Sequence, residues 1–510
     1  MLIRVLLTLV KAGVIRPLGP RGLSGTLAGY LQWDITLAWG YRTGAARHPH
    51  RAAIIDDDGV LTYAEVDERT SALAHAFHTG ERVGLLCRNG RAFVETLTAC
   101  TKIGADAVLL NTGLSAGQLA QVAREQRIDQ LVADREFADV LPDVPTYFSD
   151  ELDSLILNGP GTPLARRPPR GRLIVLTSGT TGAPKGAHRP EPASLAPAAA
   201  LLSRIPLRYG DVISITSPLF HTWGLAAFQL SLVLGATLVL RRGFDPAQAL
   251  KDAERCTAMF VVPVMLQRML ETPHRPKLRV IATSGSALPP KVTTRVLEEF
   301  GPVLYNLYGS TEVSWASIAT PEEMLKEPGT AGKPPLGTRL AIVDDHGVPV
   351  APGETGRIFV GNDMLFHGYT NGTGKESVDG LMSTGDLGYV KDGLLFVAGR
   401  DDEMIVSGGE NVYPREVEDL LSTLDGVREV SVTGVPDDNF GQRLAAYVVG
   451  DESLTADRIR AHVKANLARF SVPRDVFFLD ELPRNAAGKV VKRELREAPA
   501  RGSGQPPAGS

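Results

Sequence analysis

Residues 173–186 read Leu-Ile-Val-Leu-Thr-Ser-Gly-Thr-Thr-Gly-Ala-Pro-Lys-Gly. The first four are apolar and predict a strand, and the next six contain two glycines and four hydroxyl side chains. A strand that opens into such a loop and ends at Lys185 can aim backbone N–H groups and hydroxyls at phosphoryl oxygens. The Walker pattern G-x-x-x-x-G-K-[ST] does not fit, because Pro184 precedes the lysine and Gly186 stands where Ser or Thr would ligate Mg²⁺. The loop is therefore predicted to bind phosphate in another way.

Alternating strands and helices surround this loop. The chain has 510 residues, more than one hydrophobic core usually holds, so two or more domains are expected. A helix capped by Thr62 is predicted after two short strands. Apolar segments then alternate with helical ones; the elements are predicted at 52–56, 60–63, 82–86, 94–103, 107–110, 118–125, 130–133, 211–216 and 258–262. This rhythm predicts a doubly wound α/β domain, and the apolar run 225–240 is predicted to be a buried helix, turn and strand.

The character of the sequence changes near Gly399-Arg400-Asp401-Asp402. Beyond it, helices are predicted at 414–424 and 456–467, and strands at 427–434, 443–449 and 475–478. This pattern predicts a small α+β domain attached through a hinge. The predicted divisions are an apolar and basic N-terminal segment 1–40, a large domain 41–399, a hinge 400–402, a small domain 403–496 and a disordered tail 497–510.

Composition excludes some function classes. The chain carries a net charge of −4, which argues against nucleic acid as a partner because binding to a phosphate backbone needs a basic face. Hydrophobic residues make up 43% and charged residues 22%, as in a folded soluble protein. The three cysteines, Cys87, Cys100 and Cys256, lack metal-ligand spacing and fit a reducing cytoplasm.

The N-terminus is apolar and basic. Residues 2–10 read Leu-Ile-Arg-Val-Leu-Leu-Thr-Leu-Val, too short a stretch for a bilayer that needs about twenty residues, and no signal-peptide cleavage site follows. Four basic residues precede the first acidic one, Asp34. The segment is therefore expected either to pack on its own domain or to rest on an anionic membrane surface as a peripheral contact. The expected location is the cytoplasm, with or without that contact, and the oligomeric state is not predicted.

Six further stretches occur in a fixed order along the chain. They are Pro218-Leu219-Phe220-His221-Thr222-Trp223-Gly224, Thr283-Ser284-Gly285-Ser286-Ala287-Leu288, Tyr305-Asn306-Leu307-Tyr308-Gly309-Ser310-Thr311-Glu312, Ser383-Thr384-Gly385-Asp386-Leu387-Gly388, Ser407-Gly408-Gly409-Glu410-Asn411-Val412-Tyr413-Pro414 and Pro483-Arg484-Asn485-Ala486-Ala487-Gly488-Lys489. With the phosphate loop and Gly399-Arg400, they resemble the motifs of the adenylate-forming (AMP-binding) enzyme superfamily, and in particular its acyl-CoA synthetases. That superfamily also contains aryl-CoA ligases, firefly luciferase and peptide-synthetase adenylation domains.

The resemblance implies a role for each motif. It implies that Tyr308 stacks on adenine, that Asp386 accepts the ribose hydroxyls with help from Arg400, and that Gly409 lines the pantetheine tunnel. The full set of implied nucleotide- and coenzyme-binding residues is Ser178, Gly179, Thr180, Thr181, Gly182, Lys185, Gly285, Ser286, Ala287, Asn306, Tyr308, Gly309, Thr311, Asp386, Arg400 and Gly409.

The resemblance also implies the catalytic residues Lys489, Thr177, Glu312 and His221. Glu312 would hold Mg²⁺, His221 would border the acid pocket, and Asp402 would be the hinge about which the small domain rotates between two half-reactions. Taken alone, His221 is more typical of a loop histidine that hydrogen-bonds within the protein, and Lys489 is more typical of a solvated surface charge. Their place among the other motifs favours the functional interpretation.

These parts predict ATP-dependent activation of a carboxylic acid, with ATP, Mg²⁺ and coenzyme A as cofactors. A carboxylate is ionised at pH 7, so its attack on the α-phosphorus needs placement and charge neutralisation but no general base. The expected products are an acyl-adenylate and pyrophosphate, then an acyl-CoA thioester and AMP. Because Gly309 stands where acetate-restricted members carry tryptophan, and 225–240 is apolar, the expected acid is a medium- or long-chain fatty acid. An aryl-CoA ligase, or an enzyme that loads a carrier protein, stays as an alternative.

Overall fold

The structure is a computed structural model. It describes residues 1–159, 162, 164–165, 167–177, 185–190, 192–407, 410–437, 441–486 and 488–496. The predicted tail, 497–510, lies outside these residues. The α-helices are α1 (Leu2–Lys11), α2 (Pro20–Trp33), α3 (Leu37–Arg47), α4 (Tyr63–Leu73), α5 (Arg91–Ile103), α6 (Ala116–Glu125), α7 (Leu152–Leu157), α8 (Ala196–Leu202), α9 (Thr222–Val233), α10 (Pro246–Ala253), α11 (Pro263–Leu270), α12 (Pro290–Phe300), α13 (Pro321–Lys326), α14 (Pro414–Ser422) and α15 (Ala456–Asn466).

The strands follow the same chain order. They are β1 (Ala52–Asp56), β2 (Gly59–Thr62), β3 (Arg82–Leu86), β4 (Asp106–Leu109), β5 (Gln130–Ala133), β6 (Thr146–Phe148), β7 (Leu173–Thr177), β8 (Lys185–Arg189), β9 (Val212–Ile215), β10 (Thr237–Val239), β11 (Ala258–Val261), β12 (Val280–Thr283), β13 (Leu304–Tyr308), β14 (Ser317–Ala319), β15 (Arg339–Val343), β16 (Gly356–Gly361), β17 (Ser377–Val378), β18 (Leu381–Lys391), β19 (Leu394–Arg400), β20 (Ile405–Ser407), β21 (Glu410–Val412), β22 (Val427–Asp437), β23 (Gly441–Gly450) and β24 (Asp475–Leu479).

Two largely parallel sheets form the large domain, which confirms the predicted α/β class. One has the order β6-β5-β3-β4-β7-β8, with only β8 antiparallel to its neighbour. The other has the order β14-β13-β12-β11-β9-β10-β1-β2 and is antiparallel only at its two ends. Both sheets share one hydrophobic core, which contains Val175 from the first, Phe260 from the second and Phe228 from α9.

Several sequence signals act locally as predicted. Thr62 caps α4, where its side chain accepts from the Glu65 N–H and the Glu65 carboxylate accepts from the Thr62 N–H. The apolar run 225–240 folds as most of α9, a turn at Gly235 and strand β10. α3 begins at Leu37 and so runs across the predicted division at residue 40.

A third, antiparallel sheet was not predicted. It has the order β15-β16-β18-β17, with β19 paired to β18. Strand β18 contains Ser383-Thr384-Gly385-Asp386, and glycine and aspartate are depleted in strands, so neither propensity nor alternation marks this segment. The sheet matters for function because β18 carries Asp386 and β19 ends at Arg400.

The small domain follows a short 3₁₀ turn at Asp401–Glu403. Its sheet has the order β21-β20-β23-β22 with β24 beside β23, and α14 and α15 cover it through a core that contains Val417, Val432 and Ile459. The α+β prediction is confirmed, while the numbered domain divisions stay a prediction. Among the described residues, no helix combines the length and apolarity needed to cross a membrane.

Candidate active site

A cavity of about 570 Å³ lies where the two domains meet. It is lined from the large domain by the end of β7, the start of α9, the loop before α12, and the end of β13. The small domain contributes the hairpin around Lys489. The predicted site residues on its wall are Thr177, His221, Gly285, Ser286, Ala287, Asn306, Tyr308, Gly309, Thr311, Glu312, Asp386, Arg400 and Lys489.

The phosphate loop connects the antiparallel strands β7 and β8. Thr177 pairs with Lys185 across these strands, and its Oγ1 donates to the Lys185 carbonyl at 3.1 Å. Ser178, Gly179, Thr180, Thr181 and Gly182 lie outside the described residues, as does Gly409. Their predicted roles in binding phosphate and pantetheine therefore stay predictions.

Lys185 and Asp402 do not line the cavity but contact residues that do. The Lys185 amino group lies 5.7 Å from the centre of the Tyr369 ring, and the Tyr369 hydroxyl donates to Glu312 Oε1 at 2.6 Å. A chain of three side chains thus links the end of the phosphate loop to the carboxylate predicted to hold Mg²⁺. No sequence motif pointed to Tyr369, which follows Gly368 in an irregular segment.

Arg189 is a second residue that sequence reasoning missed. It lies at the end of β8, and its Nη1 donates to the carbonyl of Thr311 at 2.6 Å. Burial lowers the pKa of Arg189 to about 10, while the nearby Glu312 carboxylate opposes that shift. Thr311 Oγ1 lies 3.0 Å from Thr222 Oγ1, so Arg189 and Thr222 hold the Thr311–Glu312 segment from two sides. No strand was predicted at β8, so the available signal was only an arginine close to Lys185 at the end of the loop.

Tyr308 and Asp386 form a direct hydrogen bond. The Tyr308 hydroxyl donates to Asp386 Oδ2 at 2.6 Å. Burial raises the pKa of Asp386, and the Tyr308 hydroxyl and the Arg400 and Lys489 cations oppose the rise. The carboxylate predicted to accept ribose hydroxyls therefore already holds one donor, from the residue predicted to stack on adenine.

Arg400 lies between two carboxylates. Its Nε is 3.8 Å from Asp386 Oδ1, but its Nε and Nη2 donate to Asp402 at 3.0 and 3.2 Å. Arg400 is therefore closer to Asp402, the predicted hinge residue, than to Asp386. The same guanidinium pairs with Asp402, lowering the pKa of that carboxyl.

Gly309 is fixed by a close backbone approach. A Cβ at this position would lie 2.3 Å from the Ser314 carbonyl oxygen and 2.8 Å from the Trp315 Cα. Contacts this short with backbone atoms cannot be relieved by rotating a side chain. The sequence interpretation, in which glycine widens the acid pocket by omitting a large side chain, is therefore incomplete, because no side chain fits this backbone.

Lys489 lies on a tight hairpin that packs against the large domain. Its N–H donates to Asn485 Oδ1 at 3.0 Å, and the Asn485 N–H donates to the Lys489 carbonyl at 3.0 Å. A Cβ at Gly488 would lie 2.8 Å from Val264 Cγ1, so the hairpin fits closely against α11. Burial, aided by the charge of Lys489, lowers the pKa of His221 to about 4. His221 is thus a neutral side chain of the cavity wall at pH 7.

Glu312 fits the expected magnesium site by its chemistry. Mg²⁺ in nucleotide enzymes is bound through one or two carboxylates, with substrate phosphates and water as its other ligands. Within the part of the chain that the structure describes, no group of three or more His, Cys, Asp or Glu side chains is placed to hold a metal. A single carboxylate on the cavity wall is compatible with a metal that arrives with ATP.

The comparison with protein families follows the same division into two parts. The sequence model described as "AMP-binding enzyme" matches residues 41–370, more than half of the chain. The chain belongs to the AMP-binding enzyme family. A second model, "AMP-binding enzyme C-terminal domain", matches residues 416–489 of this AMP-binding enzyme and ends at the predicted catalytic lysine.

Curated relatives and solved structures resemble the AMP-binding enzyme over most of its length. It is 33% identical over 471 residues to a 2-succinylbenzoate–CoA ligase of Bacillus cereus, covering 88% of this chain and 96% of that one. It is similar to the o-succinylbenzoate CoA synthetase of Bacillus subtilis in complex with its acyl-adenylate intermediate, with a TM-score of 0.80 and 29% identity over 90% of this chain and 98% of that chain. It is also similar to the amide bond synthetase McbA from Marinactinospora thermotolerans, with a TM-score of 0.81 and 28% identity over 91% and 99%.

These relatives confirm the predicted reaction class. The AMP-binding enzyme is an ATP-dependent acid–CoA ligase, and ATP, Mg²⁺ and coenzyme A are the cofactors of such ligases. The relatives do not support the predicted fatty acid, nor an assignment to fatty acid or lipid metabolism, and they fit the aryl-CoA alternative better. The structure explains why the sequence argument failed. Leu225, Phe228 and Leu240 are at most 2% exposed in the core, so most of the apolarity of run 225–240 serves packing.

Proposed function

We propose that this enzyme activates an aromatic carboxylic acid, of the class to which 2-succinylbenzoate belongs, and transfers it to coenzyme A. The observation that carries the proposal is the wall of the cavity beside His221 and Gly309. Two indole rings, Trp223 and Trp315, line it together with aliphatic side chains such as Leu230. The substrates of the curated relatives favour the same class of acid.

The two tryptophans present apolar surface to the cavity. Trp223 Nε1 donates to the Val261 carbonyl at 2.9 Å, and Trp315 Nε1 donates to Thr338 Oγ1 at 2.9 Å. An indole has one polar atom, its N–H, and in both residues this N–H donates to a protein group that does not line the cavity. An aromatic acid can pack its ring against these carbons, and such pairs contribute about 0.5–1.5 kcal/mol beyond area burial.

The size of the cavity suits the proposed intermediate. Small-molecule sites in proteins commonly measure about 300–1,000 Å³. The cavity of about 570 Å³ lies in that range and connects the aromatic wall to Thr311, Asp386 and Lys489. An acyl-adenylate, with its acid at one end and its nucleoside at the other, fits this arrangement.

In the proposed first step, a carboxylate oxygen of the acid attacks the α-phosphorus of ATP, and pyrophosphate leaves. Lys489 offsets the negative charge that gathers around phosphorus, and the Thr311 hydroxyl donates to a phosphoryl oxygen. The Thr177 hydroxyl would do the same after turning away from the Lys185 carbonyl. Glu312 would hold Mg²⁺, which would supply further charge neutralisation on the phosphates. Arg189 and Tyr369 position Thr311 and Glu312 through the contacts described above.

In the proposed second step, the thiol sulfur of coenzyme A attacks the acyl carbon of the adenylate. The bond from that carbon to the phosphate oxygen breaks, AMP leaves, and the thiol proton passes to water. Rotation about Asp402 would withdraw Lys489 and bring the segment with Gly409 to the site, as the family resemblance implies.

A medium- or long-chain fatty acid is a second candidate, because a smaller cavity adjoins the first. It measures about 90 Å³ and is lined by apolar side chains that include Leu97 and Leu232. Four residues line both cavities: Ile35, Pro192, Gln229 and Val233. A long alkyl chain would have to pass these four side chains to reach the smaller cavity.

Substrate profiling tests the proposal. ATP–pyrophosphate exchange would be measured with 2-succinylbenzoate, benzoate, octanoate and palmitate, followed by thioester detection with coenzyme A. We expect the highest kcat/KM for an aromatic acid and a thioester product. Highest activity with palmitate would favour the second candidate, and exchange without thioester formation would contradict coenzyme A as acceptor. A parallel reaction with a simple amine tests for an amide product.

A further inference from the structure

Residues 1–33 precede the region matched by the family and carry an unusual surface. Of the eighteen large apolar side chains that are exposed in the described part of the chain, eleven lie between Met1 and Leu31. In α1 they are Leu2, Ile3, Leu6, Leu7 and Val10. These positions recur every three or four residues, so they form one stripe along the helix. Ile3 and Leu7 are 73% and 62% exposed.

Helix α1 is nevertheless docked, by its other side. Leu9 is only 3% exposed, and the carbonyl of Ala12, just beyond the helix, accepts from the Tyr209 N–H at 2.8 Å. The Arg16 guanidinium lies 3.7 Å from the centre of the Tyr209 ring. The apolar stripe of α1 therefore points away from a packed contact, so its exposure is not explained by a lack of docking.

Helix α2 repeats the pattern. Leu23, Leu27, Tyr30 and Leu31 are exposed and share one face. The other face carries glycines that bring α2 against α3; a Cβ on Gly25 would lie 2.2 Å from the Ala46 Cβ. The small-residue face thus fixes the rotation of α2 and leaves its large apolar side chains facing outward.

The charge of this segment has one sign. Residues 1–33 contain Arg4, Lys11, Arg16 and Arg21 and no acidic residue, although the whole chain has a net charge of −4. Arg4, Lys11 and Arg21 are exposed, and within the described residues none of them pairs with a carboxylate. A partner for this surface must therefore accept apolar side chains and supply negative charge.

We propose that residues 1–33 dock the enzyme on the surface of an anionic lipid bilayer, with the exposed stripes of α1 and α2 in the interface. Apolar side chains enter the headgroup boundary, and each Lys or Arg near an anionic surface contributes about 1 kcal/mol. A symmetric contact with a second copy would bring the same cations face to face and is disfavoured. This docking is independent of which acid the enzyme activates.

Vesicle sedimentation with the full-length enzyme tests the docking. We expect cosedimentation with sucrose-loaded vesicles of phosphatidylglycerol and phosphatidylcholine, and little with phosphatidylcholine alone. The double variant Leu7→Ser/Leu27→Ser should lose at least about tenfold in vesicle affinity. The matched control is Leu157→Ser/Leu325→Ser, which removes leucines that are 84% and 62% exposed elsewhere on the surface and should bind like the unmodified enzyme.

A second variant tests the charge. Arg4→Gln/Lys11→Gln/Arg21→Gln should weaken binding and reduce its dependence on salt. Equal melting temperatures and equal adenylation rates without vesicles would show that the variants fold. Absence of binding to anionic vesicles, equal binding to neutral ones, or unchanged binding of the leucine variant would overturn the proposal. A concentration-dependent dimer that Leu7→Ser/Leu27→Ser dissociates would assign the surface to a second copy and overturn it as well.

Discussion

Replacing Lys489 by alanine separates the two proposed half-reactions. The side chain lies on the hairpin that the small domain places against α11, and its charge acts on both His221 and Asp386. Those two residues lie on the wall of the same cavity, so the amino group is near the space that the reacting phosphate would occupy. Loss of this cation should slow adenylation and spare the attack of coenzyme A on an adenylate supplied ready-made.

The size of the effect follows from Coulomb's law. Two unit charges about 4 Å apart interact by about 1 kcal/mol in water and about 4 kcal/mol at an effective dielectric constant of about 20. Each 1.36 kcal/mol changes a rate about tenfold, so the loss should lie between about fivefold and about a thousandfold. Lys489 is exposed in the structure, and substrates that displace water from it would move the value towards the upper end.

The assay measures each half-reaction by itself. ATP–pyrophosphate exchange reports adenylation, and conversion of a synthetic acyl-adenylate to its CoA thioester reports the second step. Arg493→Ala is the matched control, since Arg493 is a 65% exposed cation on the same segment and does not line the cavity. Equal losses in both half-reactions, or an adenylation rate within twofold of the control, would refute the role given to Lys489.

Three other predictions concern packing and pH. Gly309→Ala should impair adenylation of every acid alike, because its Cβ would meet backbone; selective loss of the bulkiest acids in the substrate panel would restore the pocket-width interpretation. Asp67→Ala should destabilise the fold by about 3–5 kcal/mol, since it leaves the fully buried Lys102, 2.7 Å away, without its carboxylate. Arg42→Gln, which removes a half-exposed partner of the same aspartate, should cost at most about 1 kcal/mol; thermal unfolding that ranks these two variants the other way would contradict the assignment. The pKa of His221 is lowered to about 4 in the folded protein, so between about pH 6.5 and pH 4 the unfolded chain binds more protons than the folded one. As the pH falls through this range, the melting temperature of the unmodified enzyme should therefore fall more steeply than that of His221→Gln. Parallel curves of melting temperature against pH would show that the pKa of His221 is not shifted.

Periodic segments were the part of the fold that sequence reasoning could recover. β5 was predicted at the residues where it lies, Gln130–Ala133, and α5 differs by three residues at its start. These elements bury one face or both, so the spacing of their apolar residues indicates whether each is a helix or a strand and where it lies. β18 follows no such rule. Its Asp386 lines the cavity, while the buried hydroxyls of Ser383 and Thr384 bond backbone groups. A strand with these polar positions does not show the apolar pattern of a strand shaped by packing alone.

The candidate site divides in the same way. Residues within the ordered motifs, such as Thr311 and Lys489, come together in one cavity. Arg189 and Tyr369 were missed because each acts through a contact with a residue distant in sequence: Arg189 with Thr311, and Tyr369 with Glu312. A motif records which residues face the ligand, and it contains no information on the side chains that hold those residues in place.

Arg400 shows how geometry changes an assignment that the motif supplied. The sequence motifs predict two separate roles, ribose binding for Arg400 and a hinge for Asp402. In the structure Arg400 donates to Asp402 at 3.0 and 3.2 Å and lies 3.8 Å from Asp386, so one guanidinium contacts both the predicted nucleoside-binding carboxylate and the predicted hinge residue. A ligand that draws Arg400 towards Asp386 would weaken its bond to Asp402, and rotation at Asp402 would in turn change how Arg400 meets the nucleoside. Binding of the nucleotide and the angle of the small domain would then be coupled through Arg400, because the nucleotide-bound and rotated states would compete for the same guanidinium N–H donors.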